Sequence, residues 1–112
     1  MTPFALLIYG PAEKDFKQLL RDNPDLRDDV LDKAFPAIKN NPFTAGRPKK
    51  GTLKGVYAYD LKSRNVVYRL CYLIEQKLHT VFIISLGIHD LTYQRAEHRV
   101  ASARQTLSGN RH

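Results

Sequence analysis

The sequence predicts an α+β fold, an antiparallel sheet packed by helices, in the order β-α-α-β-β-β-α. Two patterns carry that expectation. Between residues 12 and 38 apolar side chains recur at spacings of three and four, the period of amphipathic helices. Between residues 52 and 87 three apolar runs are separated by short polar breaks, as in a meander of hairpins. At 112 residues the chain fits one domain, residues 1–112, with a core that forms without staples.

The elements follow in order. The apolar run from Phe4 to Tyr9 is a strand closed by Gly10 and Pro11. Residues 12–22 form a first helix, with Phe16, Leu19 and Leu20 on one side and Glu13 and Asp15 early, where they suit the helix dipole. A second helix follows Asn23–Pro24 and carries Leu26, Val30, Leu31, Ala34 and Ile38; Pro36 should kink or shorten it. Residues 41–51, "NPFTAGRPKKG", are aperiodic and rich in Pro and Gly, so they read as a loop. Strands are expected at 52–61, 66–75 and 78–87, a final helix at 91–107, and a frayed tail after it. Sequential antiparallel strands should be covered by helices on one face.

Charge is unevenly placed. Residues 1–46 carry 6 Lys/Arg against 7 Asp/Glu, whereas residues 47–112 carry 12 against 4 and all four histidines. A polyanion is the natural partner of such a half, and a merely solubilising basic surface is the alternative. The single cysteine, Cys71, excludes an internal disulfide and sits where a small core hydrophobe is expected. The first apolar stretch is too short to span a membrane and has no basic segment before it, which points to a cytoplasmic protein without membrane contact. No Cys/His grouping of metal-ligand type, phosphate-cradling glycine loop or Gly-x-Ser-x-Gly element occurs, so no metal or cofactor is expected, and a metal-free reaction, if there is one, must rely on His, Tyr, Arg, Lys and carboxylates.

Arg69 lies mid-strand in "VVYRLCYLIE", on the side of Val67, Cys71 and Leu73, and needs either an ion pair with Asp60, Glu75 or Asp90 or an anionic ligand. In "LHTVFIISLG" Val81, Ile83, Ser85 and Gly87 should share one face that continues to His89. A three-residue turn at 75–77 pairs Ile74 with Leu78 and puts Arg69 on the side of His89, whereas a two-residue turn puts it opposite. The odd turn is the reading adopted. His89, at a strand end after a glycine, should titrate near neutral pH. Asp90 either joins it or caps the last helix. Tyr93 either stacks on a base or donates a proton, or else anchors the helix to the sheet, and Arg95 beyond it is a further candidate RNA phosphate contact. Lys49, Lys50, Lys54, Lys62 and Arg64 are candidate phosphate contacts or solvated charges.

"LKGVYAYD", "YRLCYLI" and "VFIISLGIHDLTYQRA" together resemble the RelE/ParE superfamily of bacterial toxin–antitoxin toxins, over nearly the whole chain. The resemblance implies a fold of microbial-ribonuclease type. It also implies an endoribonuclease that cuts mRNA in the ribosomal A site: the ribose 2′-hydroxyl attacks the adjacent phosphate and the 5′-oxygen leaves, with no metal. Such chemistry requires a base, an acid and cationic stabilisation of the phosphorane. By position, Arg69 matches the phosphate-stabilising strand arginine, His89 the acid/base and Tyr93 the aromatic that orients the nucleotide, while Lys54 and Arg64 match phosphate contacts. Where ribosome-dependent members commonly carry Lys, Arg or Glu, this chain has Ala58 and Asp60, so the base is unassigned and Asp60 is a candidate. The implied partners are mRNA, the ribosome and a cognate antitoxin. Two alternatives stand beside this reading: a ParE-like gyrase inhibitor that cleaves nothing, and a basic RNA-binding domain.

Overall fold

The computed structural model describes residues 2–107, apart from the side chain of His89; the expected tail at 108–112 lies outside the described residues. Strand β1 (Ala5–Ile8) leads into helix α1 (Gly10–Asp22), which starts two residues earlier than expected because Pro11 is accommodated in its first turn. The second helical segment is continuous in three parts. Helix α2 (Pro24–Asp29) passes into a π-helical turn (Val30–Ala34) and then helix α3 (Phe35–Asn40). Pro36 has no N–H and its ring would clash with the carbonyl four residues back. The widened turn, in which the Phe35 N–H bonds to the Val30 carbonyl, absorbs it, so the helix is not shortened. Leu26, Val30, Ala34 and Ile38 are buried as expected, but Leu31 is half-exposed.

The expected loop holds a short helix α4 (Pro42–Ala45) and a two-residue edge strand β2 (Arg47–Pro48). The next strand, β3 (Tyr57–Ser63), begins five residues later than expected. Gly51 and Gly55, at φ of 66° and 91°, bracket a 3₁₀ turn at Gly51–Leu53 that an extended chain could not make. Arg64 and Asn65, both at positive φ, close the hairpin to β4 (Val66–Glu75) as a two-residue turn of the I′ kind. Strand β5 (Thr80–Ile88) and helix α5 (His89–Leu107) complete the chain.

The sheet order is β1-β5-β4-β3-β2. Two expectations need correction. The sheet is mixed, because β1 runs parallel to β5 while the other pairs are antiparallel. Helices also cover both faces, because the central strands are apolar on both and each face must be buried. On one face Phe16, Leu26, Val30 and Ile38 pack against Leu61, Leu70, Tyr72, Val81 and Ile83. On the other, Ala96, Val100 and Ala103 of α5 pack against Cys71, Leu73, Phe82 and Ile84.

The β4–β5 register also departs from expectation. The turn between paired Glu75 and Thr80 has four residues, and Ile74 pairs with Val81 rather than Leu78. An even turn alone would put Arg69 on the wrong side. A bulge restores it: Tyr72 pairs with Ile83 but Cys71 pairs with Ser85, so Ile84 is an extra residue and Arg69 falls opposite Gly87. The bulge also breaks the expected alternation along β5. Val81 and Ile83 share the α1 face with Leu86, whereas Phe82 and Ile84 turn toward α5, where the Ser85 hydroxyl meets Thr92.

Candidate functional site

On the α5 side of the sheet, Asp60 of β3 stands directly across from Arg69 of β4. The Arg69 Nε donates to Asp60 Oδ1 at 2.6 Å, so the strand arginine has the ion pair that its position demanded. The other oxygen, Oδ2, accepts from Arg47 Nη2 at 2.9 Å, across the opposite strand boundary. Tyr93, one turn into α5, brings its ring over the same place. The Arg69 guanidinium lies 5.4 Å and the Lys49 ammonium 4.5 Å from the ring centroid, both within reach of its negative face. These side chains, with Pro48 and Ala58, line a cleft of about 370 Å³.

Local sequence explains how the groups reach it. The edge strand approaches β3 closely because residue 46 is glycine: a Cβ there would sit 2.5 Å from the Tyr72 hydroxyl and 3.0 Å from the Ala58 carbonyl. The Lys49 N–H then donates to the Val56 carbonyl at 2.8 Å, holding the segment beyond β2 against the sheet. The start of α5 is tied down through Thr92, whose buried hydroxyl lies 2.9 Å from that of Ser85 and 3.3 Å from the Arg69 carbonyl. Tyr93 is therefore positioned by its neighbour's bond to the very strand that carries Arg69.

Electrostatics in the cleft favour anions. Burial pushes the Asp60 carboxyl up, but the hydrogen bonds and charges of Arg69 and Arg47 outweigh it and hold it below the usual carboxylate range. Asp60 is thus ionised at neutral pH and is a poor proton donor. Its carboxylate in turn raises the Arg69 pKa against the opposing effect of burial. Arg69 Nη1 is buried with no hydrogen-bond partner, a desolvated donor that an anionic oxygen would satisfy.

The remaining candidates are dispersed. Asp90 lies inside the first turn of α5 rather than at its cap, because the helix begins at His89. The His89 backbone directly follows β5, as expected, and its side chain is outside the described residues. Arg95, two residues from Tyr93, emerges on another side of the helix and pairs with Asp15 of α1 at 3.0 Å. Arg64 pairs with Asp25 beyond the β3–β4 turn. Lys50, Lys54 and Lys62 are exposed, and none of the three lines the cleft. Arg47 was missed by sequence reasoning; the available signal was its i, i+2 spacing from Lys49 in an extended stretch, which puts both on one side. Cys71 is buried in the core, and burial pushes its thiol up. Among the described residues no group of acidic, His and Cys side chains is arranged to hold a metal, and no helix is long and apolar enough to cross a membrane.

A family model described as the ParE-like toxin of type II bacterial toxin–antitoxin systems matches residues 11–97. No curated protein matches the chain significantly. Among solved structures, the RelBE2 toxin–antitoxin complex of Mycobacterium tuberculosis contains a similar chain, at 26% identity and a TM-score of 0.65, covering 80% of this chain and 94% of that one. A variant of the Escherichia coli toxin RelE in the free state is similar in fold at 23% identity and a TM-score of 0.67, over 88% and 98% of the two chains. The isolated E. coli RelE toxin, also at 23% identity, gives a TM-score of 0.60 over 87% and 98%.

Proposed function

Because the chain belongs to the ParE-like toxins of type II bacterial toxin–antitoxin systems, we propose that this toxin is a metal-free endoribonuclease that cleaves mRNA in the ribosomal A site. The observation that carries the reading is the cleft in which Arg69, anchored by Asp60, lies beside the Tyr93 ring and retains an unsatisfied buried donor. In the proposed reaction the ribose 2′-hydroxyl attacks the adjacent phosphorus, the bond to the 5′-oxygen breaks, and a 2′,3′-cyclic phosphate and a free 5′-hydroxyl result.

Arg69 stabilises the charge that builds on the phosphorane oxygens, from a low-dielectric position where such stabilisation is worth most. Tyr93 presents a ring on which a base stacks and orients the ribose. His89, assigned from its sequence position at the end of β5, exchanges the proton with the 2′-hydroxyl or the leaving oxygen. Asp60 orients Arg69 and, with two arginines holding its pKa below the ordinary carboxylate value, is too weak a base to take the 2′-hydroxyl proton. The protein partner is a cognate antitoxin, as in the M. tuberculosis complex, and the site of action is cytoplasmic.

Gyrase inhibition without cleavage is the second reading, favoured by the ParE-like description of the matching family. One experiment separates the two. A defined mRNA is translated with wild-type, Arg69→Ala or His89→Ala protein, and the 5′ ends are mapped. Cleavage by the wild type that each variant lowers about 10²- to 10³-fold is expected. Intact mRNA together with blocked supercoiling in a gyrase assay would replace the nuclease reading with the second. Intact but bound RNA with gyrase unaffected would leave an RNA-binding domain.

A further inference from the structure

We propose that Arg47 and Lys49 form a second phosphate-binding station, across Asp60 from Arg69, so that the cleft holds two successive phosphates of one RNA strand. The proposal rests on the nuclease reading and adds a residue that neither the sequence motifs nor the family resemblance assigns. Among the described residues lining the cleft, Arg47, Lys49 and Arg69 face the single carboxylate of Asp60, which leaves a net charge of +2. One phosphodiester neutralises only half of that; two neutralise all of it.

The two arginines on that carboxylate differ in exposure and in the atom they present. The Arg69 side chain is 16% exposed and is held through Nε, whereas the Arg47 side chain is 82% exposed and touches Asp60 through Nη2. One is fixed for the reacting phosphate and the other is open to a ligand arriving from solvent. An exposed Arg–Asp pair contributes little to stability, so stability does not account for placing a guanidinium there.

The backbone preorganises this second group of cations. Arg47 pairs in register with Ala58, whose small side chain leaves the cleft wall open, and Gly46 permits the close strand approach that sets this position. Lys49, two residues on, lies on the same side and reaches the ring of Tyr93. Base stacking at Tyr93 and phosphate contacts at Arg69 and at Arg47 with Lys49 then follow one another along a single strand.

Fluorescence anisotropy tests this with a labelled short 2′-O-methyl RNA, which lacks the attacking hydroxyl, titrated from about 50 to 300 mM salt. Arg47→Ala should weaken binding and reduce the slope of log K against log salt by about 0.7, the value for one lost single-strand phosphate contact. Arg47→Lys should retain the slope, because it keeps the charge. Arg69→Ala serves as the reference for loss of the first phosphate, and thermal unfolding of each variant verifies the fold. An unchanged slope for Arg47→Ala, with a reduced one for Arg69→Ala, would overturn the second station and leave the nuclease reading intact. Failure of the wild type to bind at any salt concentration would overturn the second station, and the nuclease reading would fall with it only if translated mRNA also stayed intact.

Discussion

Asp60 shows how one carboxylate sets the behaviour of a whole cleft. It accepts from two guanidinium groups, which hold its pKa below the ordinary carboxylate value and make it an anchor rather than a strong base. The consequence for stability has a definite sign. A carboxyl whose folded pKa lies below its ordinary value of 3.8 adds stability that is complete above that value and is lost as pH falls through the lower folded value. Asp60→Asn is therefore expected to flatten the pH dependence of the urea midpoint between about pH 5 and pH 2. The same variant keeps an acceptor oxygen but removes the charge that holds Arg69, and under the proposed reaction cleavage should fall about 10²-fold through misplacement. An Asn variant with wild-type acid sensitivity and full cleavage would refute the anchoring role. Residue chemistry of this kind was partly legible in sequence: Arg69 plainly needed a partner and Asp60 was among three named, but only strand pairing chose it.

Elements matter here through their irregularities. The bulge at Ile84 compensates an even turn, so Arg69 faces the α5 side for a reason different from the one sequence parity suggested. Parity arguments count residues, and a single inserted residue reverses every side chain beyond it. The π turn before Pro36 is a similar case, since proline marks a helix problem without saying how it is relieved. Gly46 offers a test at this scale. Gly46→Ala brings a methyl against the Tyr72 hydroxyl and should cost about 1–3 kcal/mol. Tyr72→Phe strands the Pro42 carbonyl, which accepts that hydroxyl at 2.7 Å, and should cost about 1–2 kcal/mol. Denaturant unfolding of the double variant should show less than the sum of the two, because the clash loses its nearest atom. Strict additivity would mean that the glycine is not needed for this approach.

Across the whole molecule, α1, β5 and α5 are joined where β1 stops. β1 pairs with β5 only as far as Ile83, which leaves the edge of β5 open beyond it. There the buried Asp15 of α1 accepts from the Leu86 N–H at 3.3 Å, and Arg99 of α5 donates to Asp15 at 2.7 Å and to the Ile84 carbonyl at 2.8 Å. Arg95 completes the cluster. This polar clamp satisfies an exposed strand edge and fixes the two helical layers relative to each other. Asp15→Asn should cost about 3 kcal/mol in unfolding free energy, because it leaves guanidinium charge poorly compensated in a largely buried setting. A loss below about 0.5 kcal/mol would show that these ion pairs contribute no more than solvent-exposed ones. Arg95, a phosphate candidate by its charge and sequence, belongs to this clamp.

From the amino-acid order alone came the α+β class, the buried cysteine, the central strand arginine and the helical and strand runs, because these depend on local periodicity and on the cost of burying charge. Tertiary structure decided the parallel edge strand, the helices on both faces, the bulge and the convergence of Arg47, Lys49, Asp60, Arg69 and Tyr93. Those depend on pairing between segments distant in the chain, and on a register that one extra residue shifts. The stretch from Ser85 to Ala96 joins the two kinds of information: its composition marked candidate residues, and Thr92, bonded back to the Arg69 carbonyl, sets where Tyr93 stands beside the cleft.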